Sequence, residues 1–177
     1  MKVNGYQLRE GIKRWLLQRD AASSAFKDSL FSFNDEDKST PDKVMLEFDK
    51  ADHNLARLEE IQQCYNRIVL CNVMSKQITL ALCVKLVGGA GRREKMWREA
   101  AVGKKDRFSY REEASRERDS SKEYAKRVLS VKDCSDASQA AAKYASALRN
   151  AIARGNATEV EVANLVITDD ECNVLFD

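Results

Sequence analysis

Apolar residues recur along two stretches of this chain at alternating steps of four and three. The first runs Leu8, Ile12, Trp15, Arg19, Ala22, Phe26 and Ser29 after Tyr6, with Leu16 and Leu30 widening the stripe. The second runs Val44, Phe48, Ala51, Leu55, Leu58, Gln62, Tyr65 and Val69. Such spacing lays one apolar seam along a helix, and it predicts helices over about residues 5–30 and 41–68. Thr40 as N-cap, Pro41 at the first helical position and Asp42 in the first turn mark where the second begins. The stretch Phe31–Ser39, with its acidic run Asp35, Glu36 and Asp37, reads as a solvated loop. Two seamed helices on a short loop fold back as an antiparallel hairpin. Phe26 is then expected near Phe48, Trp15 near Leu58, Leu8 near Tyr65 and Ile12 near Gln62. Arg19 is the charged member of its seam. An unpaired ion in a dry interface costs several kcal/mol, so it must reach the rim or pair with Asp52 or Glu59.

Past Tyr65 the pattern changes. Two β-prone runs flank Met74, Ser75 and Lys76 and predict a small hairpin, after which Thr79 offers an N-cap to a third helix carrying Leu80, Cys83, Val84 and Val87. Gly88, Gly89 and Gly91 interrupt that helix, each at a cost of about 1 kcal/mol relative to alanine. They mark close packing against a neighbour, a kink before Met96 and Trp97, or a phosphate cradle whose glycine amides precede Arg92, Arg93 and Lys95. The P-loop pattern is absent, and a G-x-G-x-x-G match from Gly89 fails at Glu94. Alternation predicts short strands at Arg107–Arg111 and Glu123–Leu129 around an exposed loop, Glu112–Ser121. Ser130 with Asp133 opens a last long helix through a capping box. Its seam is Cys134, Ala137, Ala141, Tyr144, Leu148 and Ala151, and Gly155 with Asn156 stops it. The tail Thr158–Asp177, with Val160 and Val162, suits a strand or a subunit contact. The fold class is mainly α: a long antiparallel helical hairpin (5–69) plus two further helices forming a bundle, with short β-hairpin elements, in one domain over 1–177.

The totals agree with a helix-rich chain: 177 residues, 44% hydrophobic, 33% charged, seven glycines and a single proline. Net charge is only +2, so charge matters locally rather than globally. Residues 92–127 hold 13 Lys or Arg against 8 Asp or Glu, net +5, with Phe108, Tyr110 and Tyr124 among them. That is the composition of a weak nucleic-acid surface. Residues 31–63 are net −5, so the two regions can satisfy each other within the chain or between subunits. Candidate anion or nucleic-acid contacts are Arg92, Arg93, Lys95, Lys104, Lys105 and Arg107. Five cysteines without a C-x-x-C pair and one histidine, His53, do not make a zinc site, and no cofactor motif is present. No G-x-S-x-G, H-E-x-x-H or Cys/His arrangement points to an enzyme. Charged residues throughout the first 20 positions argue against a signal peptide, and no apolar run is long enough to span a bilayer, so a cytoplasmic setting is expected.

The order of features resembles the bacterial septicolysin-like proteins: a heptad helix and a loop containing Pro41, a second helix ending in Tyr65-Asn66, a Thr79-Leu80 helix start and a final helix closing on Asn156. The resemblance implies an oligomeric helical bundle. In that family the segment after the Thr-Leu pair looks like one continuous helix, and the glycines between Leu86 and Arg92 depart from it. The expected function is that of a helical structural or interaction protein that self-associates as a dimer or higher homo-oligomer. Tyr6, Leu16, Leu30, Met45 and Ile61, off the seams, and the alanine face of the last helix would supply its surfaces. One alternative is weak nucleic-acid or anion binding through residues 92–127. Another is a cytolysin-like membrane activity, which the family name suggests and which needs an exposed amphipathic helix. The first helix has Arg9, Lys13, Arg14 and Arg19 for that role, but the hairpin claims Ile12, Trp15 and Leu16.

Overall fold

The computed structural model describes residues 1–31, 39–102 and 128–176 of the chain. The predicted strand Arg107–Arg111, residues 123–127 of the second predicted strand, the loop residues 32–38, and the candidate contacts Lys104, Lys105 and Arg107 lie outside that range, while Val128 and Leu129, the end of that second strand, form a bend instead. Helix α1 spans Gly5–Ser29. It starts where Asn4 Oδ1 accepts the amides of Tyr6 and Gln7, both at 3.0 Å, while Gln7 Oε1 accepts the Asn4 amide at 2.9 Å. Two otherwise orphaned donors of the first turn and the cap amide itself are satisfied reciprocally. Helix α2 spans Pro41–Ile68 from an extended Thr40, whose side chain makes no capping bond, so the proline carries the start.

The two helices form the expected antiparallel pair. Trp15, Leu55, Leu58 and Tyr65 are buried along the seam, while Phe26 and Phe48, near the tip, are only half-buried. Arg19 pairs with Asp52 at 3.6 Å. Phe26 and Phe48 line one small cavity, as the heptads suggest, and Leu58 and Tyr65 of α2 also lie against Gly11 and Gly5 of α1. A Cβ on Gly11 would sit 3.1 Å from Leu58 Cδ1, and one on Gly5 would sit 3.1 Å from Tyr65 Cε1. Large side chains of α2 fill the two places on α1 where no side chain stands in the way.

A β-hairpin follows. Strands β2, Leu70–Val73, and β3, Lys76–Thr79, pair antiparallel with Leu70 opposite Thr79 and Val73 opposite Lys76. Met74, in the turn, has φ of 54°. Helix α3 then runs from Leu80 to Val102 without a break, and Thr79 Oγ1 accepts the Leu82 amide at 3.3 Å. The expected kink at Gly88–Gly91 is absent. Helix α4, Val131–Ala157, opens on the Ser130–Asp133 capping box and packs along α3, burying Ala141, Ala145, Leu148 and Ala151. Strand β4, Val160–Glu161, pairs with an N-terminal strand β1, Lys2–Val3, that the sequence pattern did not reveal. A 3₁₀ turn, Val162–Leu165, and a short helix α5, Asp169–Phe176, complete the described residues. The tail therefore contributes one short strand and then a helix.

The architecture is two antiparallel helix pairs, α1/α2 and α3/α4, bridged by the hairpin and joined mainly at one end. At that junction Tyr65 is fully buried, and its hydroxyl lies 2.7 Å from the carbonyl oxygens of both Gly155 and Thr158 at the end of α4. It donates to one of them at a time, and so adds to the bond that the Gly155 carbonyl already accepts from the Thr158 amide at 3.2 Å. A Cβ on Gly155 would stand 2.7 Å from Cys71 Sγ, and one on Gly5 would stand 2.6 Å from Asn156 Oδ1. The Cys71 thiol in this dry corner is pushed up to about 11, first by burial and then by Cys83.

Candidate interaction surface

Helix α5 lies against α1 and α2 and is held at both ends by arginines. Arg57 on α2 gives Nε to Glu171 Oε1 at 2.6 Å, Nη1 to Glu60 Oε2 at 2.6 Å and Nη2 to the carbonyl of Val166 at 2.9 Å. Those hydrogen bonds hold the Glu171 carboxyl below the usual carboxylate range and raise Arg57. Val166 itself stands at φ 58°, a conformation that costs a β-branched residue, and its carbonyl is the one Arg57 takes. At the other end Arg14 on α1 donates Nη1 to the Phe176 carbonyl at 2.8 Å and Nη2 to that of Leu175 at 2.7 Å. Trp15 Nε1 adds a bond to Leu175 at 3.0 Å. A cation over the last carbonyls of a helix complements its negative end.

Beyond α5 the depression between α1 and α2 stays open toward the hairpin tip. It encloses about 680 Å³ over a floor of Ala21, Ala22 and Ala25, with Trp15 and Val174 at one end and Arg14, Gln18, Glu47 and Lys50 at its rim. Small side chains on one side and mixed charge around it make a surface that admits a helix closely. Ala22 belongs to the α1 seam. Ala21 and Ala25 are exposed and fall outside the heptad pattern, so the seam analysis passed over them. Alanines at a helical spacing of three and four beside a seam are the signal that would have found this surface.

Several surfaces expected from the sequence stand elsewhere. Tyr6, Leu16, Leu30 and Met45 are exposed, but Ile61 is buried in the core. The alanine face of α4 is spent on α3 within the chain, leaving Ala137 and Ala140 at a shallower groove of about 290 Å³ walled by Trp97, Arg93 and Tyr144. Arg92, Arg93 and Lys95 lie on the exposed side of α3, where Lys95 stands 3.9 Å from Glu99. The phosphate cradle fails on geometry: Gly88, Gly89 and Gly91 sit in mid-helix, where the ladder occupies the backbone amides, and the N-terminus of α3 is at Leu80. Close packing does not explain them either, since a Cβ on Gly89 or Gly91 would meet nothing within 4 Å.

His53 is exposed on α2. Among the described residues no group of three or more His, Cys, Asp or Glu side chains is placed to hold a metal ion. No helix of the described residues is long and apolar enough to cross a membrane. Comparison with protein-family models, with curated proteins and with solved structures found no match.

Proposed function

We propose that this protein is a helical structural or interaction protein that acts through self-association. The observation that carries the reading is the thinness of its arms. Each arm is two helices across, so each long helix buries essentially one stripe and turns the rest outward. Those outward faces keep large apolar residues in water: Leu17 on α1 is 61% exposed, Leu46 on α2 is 69% exposed and Met96 on α3 is 70% exposed. Scattered apolar residues are ordinary, but on a chain that also carries an unfilled groove with an alanine floor they support a surface suited to another helix. The resemblance to septicolysin-like proteins points the same way. Light scattering at micromolar concentration is expected to give a multiple of the 20.0 kDa chain mass. A stable monomer at that concentration would overturn the reading.

The exposed Arg92, Arg93 and Lys95 support a second, weaker reading as an anion or nucleic-acid contact. Surface cations on a helix give sequence-independent attraction that salt screens over about 10 Å at 0.1 M. Gel shifts are therefore expected at low ionic strength only.

A further inference from the structure

Helix α5 ends on Arg14 and Trp15, and the groove it occupies continues past that point over α1 without an occupant. The free flank of α1 there runs Arg14, Leu17, Ala21, Ala25 and Asp28, at steps of three and four that place all five on one side of the helix. Leu17, Ala21, Ala25 and Asp28 are exposed. Arg14 spends one N–H of each Nη on the neutral carbonyls of Phe176 and Leu175, which leave its charge without a carboxylate, and neither it nor Asp28 has an ion-pair partner among the described residues.

This flank is complementary to itself. When two copies of α1 cross antiparallel at Ala21, Arg14 of one stands opposite Asp28 of the other and Leu17 opposite Ala25. Cation meets carboxylate and large meets small, twice over. A parallel crossing would instead set Arg14 against Arg14 and Asp28 against Asp28, so charge selects the antiparallel one. The small side chain at the crossing point lets the two backbones approach, with the axes about 8 Å apart as in close helix pairs. We infer that α1 docks antiparallel on α1 of a second copy of this chain, about a two-fold axis at Ala21, along the edge of the groove that α5 leaves open. The inference rests on the self-association reading and names its surface. It closes the assembly with one isologous contact.

Two variants test it. Ala21→Arg adds a long charged side chain at the axis of an otherwise exposed site, and it is expected to reduce the mass in light scattering from two chains to one with unchanged helical circular dichroism. Ala21→Cys, made together with Cys64→Ser to remove the half-buried native thiol, is expected to yield a covalent dimer with a short bis-alkylating reagent. Ser23→Cys, exposed on another side of α1, should stay a single chain under the same treatment. If the wild-type protein self-associates but Ala21→Arg does too and Ala21→Cys does not cross-link, this surface is wrong and self-association stands. A wild-type monomer removes both.

Discussion

Two groups of glycines in this chain do opposite things. At the junction of the helix pairs, Gly5, Gly11 and Gly155 are places where another part of the chain fills the space a side chain would need. On α3, Gly89 and Gly91 face open space, and nothing in the described residues requires them. Sequence treats the two alike, because glycine lowers helix propensity by the same amount in either setting. The difference lies in what approaches from outside the helix. The junction is specified by close contact, whereas the middle of α3 is locally weakened without any return from packing against the described residues.

The sharpest way to break this comparison is Gly155→Ala. Its Cβ would meet Cys71 Sγ at 2.7 Å and Leu80 Cδ1 at 3.0 Å in a corner with little room to give. Overpacking of this kind costs about 1 to 3 kcal/mol, read as a fall in the urea midpoint; an unchanged midpoint would show that the corner is loose. Next in size, Gly89→Ala and Gly91→Ala are expected to raise stability by about 1 kcal/mol each, since the new methyl meets nothing and the helix gains propensity. A loss of stability at either site would mean that a partner packs on α3.

The third expected effect concerns titration at the junction. The Cys71 thiol is pushed up to about 11 in the folded chain, above its value when unfolded, so its contribution to stability is fully present below the ordinary thiol value. It is lost as pH rises from that value toward about 11. Denaturation midpoints measured across this alkaline range should fall for the wild-type chain and fall less for Cys71→Ala. Equal slopes would mean that the thiol is not held in a dry site.

The helices were legible because their signals are local. The Ser130–Asp133 capping box, Pro41 at the start of α2, Thr79 before α3 and the stripes of α1 and α2 involve residues within a few turns of one another. The pairing of Arg19 with Asp52 followed from placing a charge inside a seam. Strand β1 was not legible, because two residues carry no period and its partner lies at Val160–Glu161. Nor was the open groove, since Ala21 and Ala25 become a surface only where α5 stops.

By itself, then, the sequence determined the mainly α class, where most of the long helices begin, and which stripe of α1 and α2 turns inward, because periodicity and capping act within one element. Only the tertiary structure decided what fills the space beside Gly5 and Gly11, the burial of Ile61, the use of the α4 alanines against α3, and the continuity of α3 through its glycines. Each of these depends on which distant surface approaches. A heptad pattern does not say what fills the space of a missing side chain, and only the packed pair sets Tyr65 beside Gly5 and Leu58 beside Gly11.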